Sequence, residues 1–298
     1  MIFDWCRHCG EDKEMTEEHL PPWATGNDSE VTLVTEWEDP ARAVLHRFRE
    51  GHALPSLCGP CNTGASNRGL PQAYTAWNRD VIAWIQRAVH EICEHLGGEP
   101  GDIWSVHHTN GRAKELRIDH GKGVDLDGMN NLHPGRIVRH VLGMVLAVQR
   151  TDALLKQHPQ LAAAYFSEDS SSIAPFSLHV ALADAGISYL NSGAMLATIP
   201  LTADEAAAMA DSSPGIHFWM ISFPPFLICL TEGGKSPITA TRIDHWFEQP
   251  TNKTFPKSMR KTAYPIALHS EPVVRHLYAD LYEETEPPIV RTRKPRSP

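Results

Sequence analysis

Two C-x2-C pairs constrain the fold of this chain more than any other feature. Cys6 and Cys9 form the first pair, Cys58 and Cys61 form the second, and 48 residues separate the pairs. A two-residue spacer lets one tight turn direct two thiolates at one ion, and two such turns complete a tetrahedral shell. The pattern therefore predicts a structural zinc site of four thiolates.

The cellular location expected for the chain favours metal binding over disulfide formation. The first residues, MIFDWCRHCG, lack the basic and apolar regions of a secretory signal, so we expect a cytoplasmic, reducing location. No apolar stretch reaches the roughly 18 residues of a membrane span, so no membrane partner is expected. Cys93 and Cys229 stand on apolar faces and are expected to be small buried side chains.

A second group of residues has the side chains that phosphodiester hydrolysis requires. These residues lie between the two cysteine pairs and directly after the second pair. Glu18 and His19 precede Leu20-Pro21, and Asn62 directly follows Cys61. A neutral imidazole is a suitable general base for activating water, which makes His19 the candidate base. A carboxylate and an amide oxygen suffice to hold Mg²⁺ or a similar divalent cation, and Glu18 and Asn62 supply them. Neighbouring strand residues point to opposite sides, so Glu18 and His19 must sit at a bend to face one phosphate.

Together these motifs resemble the HNH endonuclease family, whose ββα-metal unit is held by two zinc knuckles in many members. The resemblance covers about residues 1–75. It implies that Glu18 is the first metal ligand, His19 the general base and Asn62 the second ligand, on a helix. The zinc would tie the base-bearing hairpin to that helix. The implied function is a metal-dependent endonuclease acting on nucleic acid, with DNA as the expected substrate. Glu18 departs from the family pattern, which often has Asp or His there.

Other assignments of these residues stay open. Asn67 is a rival ligand if the segment after Asn62 is helical, and Arg68 would then be a phosphate contact. Arg47 and Arg49 are further candidates for nucleic-acid binding. Asn62 alone would also suit a helix N-cap. The alternative function is a catalytically inactive, zinc-stapled module that binds protein or nucleic acid.

The charge of the chain opposes tight binding to a polyanion. The formal net charge is −9, and residues 1–69 hold six Lys/Arg against twelve Asp/Glu, a local net charge of −6. A nuclease must approach phosphates, so we expect either a basic surface from elsewhere, such as residues 253–261, or gated activity. A regulatory protein or a small-molecule signal would operate the gate, as in a defence or toxin-like effector.

The pattern of apolar residues indicates an α+β fold: an N-terminal zinc-stapled ββα-metal (HNH-like) unit and a larger mixed helical and β domain. We assign residues 1–75 to the nuclease unit, 76–285 to the mixed domain and 286–298 to a basic, disordered tail. Helices are predicted from Pro71 to Leu96, from Gly135 to Val148 and after Pro159. Strands are predicted at 31–35, 43–48, 103–106, 115–118, 188–199, 216–223 and 226–231.

Overall fold

A computed structural model gives the architecture of most of the chain. It describes residues 2–28, 31–34, 45–48, 51–96, 101–109, 113–118, 131–149, 151–183, 188–195, 216–223, 225–234, 236, 239–265 and 267–269. These residues form a mixed α/β structure with helices and largely antiparallel sheets.

The N-terminal unit consists of a three-stranded sheet and one helix. The strands are β1 (Ile2–Trp5), β2 (Asp12–His19) and β5 (Ala53–Cys58), in the order β1-β2-β5 and all antiparallel. Helix α1 (Gly59–Asn67) follows β5 directly and packs against β2. Strands β3 (Val31–Val34) and β4 (Leu45–Phe48) form a separate antiparallel pair between β2 and β5.

A second, eight-stranded sheet forms the C-terminal part of the molecule. Its strands are β6 (Ser105–Thr109), β7 (Ala113–Arg117), β8 (Phe176–Ala183), β9 (Ser188–Met195), β10 (Ile216–Phe223), β11 (Phe226–Glu232), β12 (Thr241–Arg242) and β13 (Ala267–His269). The order is β6-β7-β13-β8-β11-β10-β9, and β12 also pairs with β8. All these pairs are antiparallel except β13 with β8, which run parallel.

Four helices pack between and around the two sheets. They are α2 (Leu70–Glu94), α3 (Pro134–Ala147), α4 (Ala153–Gln157) and α5 (Pro159–Phe166). Short 3₁₀ helices occupy Trp23–Thr25, Asp244–Glu248 and Lys257–Ala263. Every residue of α3 except Arg136 is buried, because α2, α5 and the sheet strands pack around it.

Helix α2 anchors the main core through its tryptophans. Trp77 stacks on Phe226 of β11 with ring centroids 3.9 Å apart, and its indole N–H donates to the Ala263 carbonyl at 2.6 Å. Trp84 packs edge-on against Tyr264 at 4.9 Å. The same apolar cluster includes Leu20 of the N-terminal unit. The predicted boundary between residues 75 and 76 therefore falls inside α2, and the two-domain division stays a prediction.

The secondary structure agrees with the periodicity of the sequence in most described elements. The predicted helices and the hairpin of β3 and β4 are confirmed, with ends shifted by a few residues. Cys229 is buried as expected, but the expectation for Cys93 was wrong. Cys93 and Leu96 lie at the C-terminal end of α2, beyond the core, so both are exposed. The predicted basic tail, residues 286–298, lies outside the described residues.

Removing the Trp77 side chain tests this account of the core. We expect Trp77→Ala to lower the free energy of unfolding by about 3–5 kcal/mol, because it leaves a cavity beside Phe226. Trp23→Ala is the matched control, since Trp23 is 61% exposed, and its effect should stay within about 0.5 kcal/mol. Urea denaturation measures both, and equal effects would contradict the assignment of the core.

Candidate metal centre and hairpin–helix site

The four paired cysteines lie close together in the N-terminal unit. All four sulfur atoms lie within 4.8 Å of one another. Cys6 follows β1, and the turn after it closes through a hydrogen bond from the Gly10 amide to the Cys6 carbonyl at 2.8 Å. Cys58 ends β5, and Cys61 lies in the first turn of α1. The cluster therefore joins the start of the sheet, β5 and α1, and it could hold a zinc ion.

The geometry and electrostatics of the cluster suit zinc. A tetrahedral shell with Zn–S bonds of about 2.3 Å places its sulfur atoms about 3.8 Å apart. The sulfur atoms of Cys9 and Cys58 are 4.0 Å apart, and the Cys58 amide donates to the Cys6 sulfur at 3.4 Å. The Cys61 thiol and the Cys58 amide hold the pKa of Cys6 down at about 3. The same hydrogen bond raises the pKa of Cys61, which donates it. Zinc binding would displace the remaining protons from these thiols.

Asn62 lies beside the strand that carries the predicted base. It is the fourth residue of α1, and Cys58 occupies the N-cap position, so Asn62 does not cap this helix. Its amide nitrogen donates to the Thr16 hydroxyl at 3.2 Å and to the Glu17 carbonyl at 3.3 Å. The four-cysteine cluster and these two contacts fix α1 against β2. Asn67 ends α1 with an exposed side chain.

Glu18 and His19 are the last two residues of β2, opposite Leu54 and Ala53 of β5. The bend expected at these two residues begins only after them, at Leu20, and neighbouring residues of a strand point to opposite faces. Both side chains are half-buried. Glu18 lines a cavity between the N-terminal unit and helices α3 and α5, and burial raises the pKa of its carboxyl group to about 7. The cavity volume is about 10 Å³, which is room for one water molecule. Mg²⁺ keeps several of its own waters, so this cavity does not accommodate it as it stands.

The other wall of this cavity contains residues that the sequence did not single out. His8, His140 and Tyr165 are buried there. The His8 Nε2 atom donates to the carbonyl of Gly143 in α3 at 3.0 Å, and its ring lies 4.2 Å from that of Tyr165. Burial lowers the pKa of His8 to about 4, so the imidazole is neutral at pH 7. The only sequence signal was the place of His8 inside the first C-x2-C pair.

The arginines predicted to bind phosphate have different surroundings. Arg68 follows α1, its guanidinium donates to the Tyr165 carbonyl at 2.7 Å, and it stacks over the rings of Tyr165 and Phe166. Arg68 therefore ties the N-terminal unit to α5. Arg47 lies in β4 opposite Thr32, but its side chain is outside the described part, as is all of Arg49. Phosphate binding by the three arginines stays a prediction.

The chain was compared with known proteins at the levels of family, sequence and structure. No protein-family model, curated protein or solved structure matches it. Among the described residues, none of the helices has the length and apolar character that crossing a membrane requires.

Replacing one cluster ligand tests the zinc site. We expect the native protein to carry about one zinc per chain, and Cys58→Ser to lose most of it, because three thiolates leave the shell open. Its melting temperature should fall, since the metal joins β5 and α1 to the first turn. Cys93→Ser is the control, because Cys93 is exposed and outside the cluster. Metal analysis and calorimetry measure the result. Equal zinc content in all three proteins would contradict the four-thiolate site.

Proposed function

We propose that this chain is a metal-dependent endonuclease of the HNH type that hydrolyses phosphodiester bonds in nucleic acid, with DNA as the expected substrate. The observation that carries the proposal is the arrangement held by the four cysteines. Strand β2, which ends in Glu18-His19, pairs with β5, and β5 leads directly into the helix bearing Asn62. The cluster that could hold zinc lies where β5 meets that helix. The order strand, strand, helix is the one that the resemblance to HNH nucleases implies.

The roles proposed for the residues follow from their chemistry. His19 accepts a proton from the attacking water, since an imidazole that is neutral near pH 7 can act as a general base. Glu18 and Asn62 provide the oxygen atoms for a divalent cation such as Mg²⁺. When bound there, that cation would neutralise charge on the phosphoryl oxygen. The four cysteines act structurally, because a closed shell of four protein ligands leaves no position for a substrate.

The contacts of the N-terminal unit with α3 and α5 favour gated activity. Among the described residues, His8 bonds to the Gly143 carbonyl of α3 and Arg68 to the Tyr165 carbonyl of α5. Arg7 bonds to the carbonyl of Gln149, just beyond α3, at 3.4 Å. With these contacts formed, Glu18 faces a cavity of one-water size. We therefore propose that α3 and α5 must move away before a hydrated cation reaches Glu18. A protein or a small-molecule signal would drive that movement, as a defence or toxin-like effector requires.

The second candidate function is a zinc-stapled module without catalysis that binds protein or nucleic acid. One observation favours it. The half-buried Glu18 lines the small cavity walled by α3 and α5, where burial raises the pKa of its carboxyl group. His19 distinguishes the two functions, because only the nuclease depends on its imidazole.

Replacing His19 separates these functions. We expect His19→Ala to lower the rate of plasmid DNA cleavage in Mg²⁺ at least about 100-fold, because the general base is lost. Zinc content should not change, since His19 is not part of the cysteine cluster. His90→Ala is the matched control, because the His90 side chain is exposed on α2. Wild type and His19→Ala that are equally inert on DNA and RNA with every common divalent ion would favour the inactive module, whereas equal cleavage by both would overturn the role of His19 as the base.

Replacing Arg68 tests the gate. We expect Arg68→Ala to raise the rate of cleavage about fivefold, because one contact with α5 disappears and Glu18 becomes easier to reach. Arg79→Ala, which removes an exposed positive charge from α2, should change the rate less than about twofold. Initial rates of plasmid nicking measure both. A loss of activity in Arg68→Ala alone would instead identify Arg68 as a phosphate contact.

A further inference from the structure

Trp23 has the opposite environment to the core tryptophans. It is 61% exposed, whereas Trp77, Trp84 and Trp246 are fully buried. Trp23 begins the short 3₁₀ helix Trp23–Thr25, only four residues after His19, the proposed base. Trp23 belongs to none of the apolar clusters of the described residues, and it is close in sequence to the proposed base.

The turn that carries Trp23 is held rigidly. The Thr25 hydroxyl donates to the Pro22 carbonyl at 2.6 Å, and the turn ends at Gly26 with a φ of 86°. Behind it, the buried side chain of Asn27 donates to the carbonyls of Pro21 and His52 at 2.7 and 2.9 Å. The carbonyl oxygen of the same side chain accepts from the His52 amide at 2.6 Å. These bonds fix the turn to the start of β5 before any ligand arrives.

Gly51 completes the closure of this loop. Its φ is 83°, and a Cβ atom there would lie 1.9 Å from the Asn27 carbonyl oxygen. Only glycine allows the backbone to come so close. The exposed indole therefore sits on a preformed support, which lowers the entropic cost of a contact made by its ring.

The charge around the indole limits what it can bind. Residues 20–28, LPPWATGND, contain no cation, and residues 1–69 carry a net charge of −6. This segment itself therefore offers no cation to a phosphate, and its own contact with nucleic acid must be of another kind. Stacking of a nucleobase on an aromatic ring is such a contact, and it strengthens single-strand binding by about tenfold or more. Bases inside a duplex do not expose their faces, so stacking selects unpaired nucleotides.

We propose that Trp23 stacks on an unpaired nucleobase beside the scissile phosphate, so that the substrate is single-stranded nucleic acid or an unpaired segment of a duplex. This inference rests on the proposed nuclease function and adds the class of substrate. The indole positions the nucleotide next to His19 and takes no part in proton transfer.

Binding is measured first in the full-length, zinc-loaded chain with His19→Ala, which keeps the oligonucleotide intact. The probe is a fluorescein-labelled 12-nucleotide single strand, with a hairpin duplex as its comparison, followed by anisotropy. We expect Trp23→Ala to weaken single-strand binding about tenfold and Trp23→Phe less than about threefold. Phe3→Ala is the control, because Phe3 is 75% exposed on β1 and should not affect binding. The slope of log affinity against log salt should not change, because no phosphate contact is lost.

Cleavage of the same single strand by the chain with His19 intact separates two kinds of failure. We expect Trp23→Ala to raise KM about tenfold and to change kcat less than about twofold. If wild type cleaves and Trp23→Ala binds and cleaves like it, the stacking role is overturned and the nuclease stands. If the single strand binds through Trp23 but wild type cleaves nothing, the catalytic function fails and the stacking stands. Absence of oligonucleotide binding by the parent chain, or equal loss on strand and hairpin, would also overturn the stacking.

Discussion

The convergence of four cysteine sulfurs is the interaction on which the N-terminal unit depends. The unit is a small sheet and one nine-residue helix, and its own apolar cluster contains little beyond the cysteines, Met15 and Leu57. Such a cluster is too small to fix a strand end against a helix by itself, and a zinc ion held by the four cysteines would supply the missing constraint. The positions of Glu18, His19 and Asn62 relative to one another therefore follow from the metal-binding turns.

The same turns also connect the unit to the rest of the chain. His8 stands inside the first C-x2-C pair and contacts both α3 and α5, so the turn that would bind zinc is also a docking point. Arg68, at the other end of α1, makes a second contact with α5. A structural change at the four-cysteine cluster would therefore alter its contacts with α3 and α5, which form one wall of the cavity beside Glu18. Under the proposed nuclease function, this connection would keep the acidic chain inactive without any need for weak affinity for DNA.

Much of this structure could be predicted from local patterns. The spacing of the cysteines predicts the cluster, and the apolar periodicity predicts α2 and α3, because both depend on neighbours in sequence. The direction of Glu18 could not be predicted, since it depends on Tyr165 and His140, which are more than 100 residues away. The same holds for Arg68, whose sequence context indicates a phosphate contact while its partner lies in α5. Cys93 was misassigned because periodicity does not reveal where the core ends along a helix.

The most direct test of the central claim is cleavage of a single-stranded oligonucleotide by the zinc-loaded wild-type chain as Mg²⁺ is titrated. The nuclease account predicts that cleavage is absent without Mg²⁺, rises to saturation as Mg²⁺ is added, and is lost when zinc is removed by a chelator and Mg²⁺ is restored. Zinc-loaded wild type and Arg68→Ala that both bind the oligonucleotide, yet leave it and plasmid DNA intact at every Mg²⁺ concentration, would contradict the account, because weakening the gate then releases no cleavage. That result would identify the hairpin and helix as a binding module.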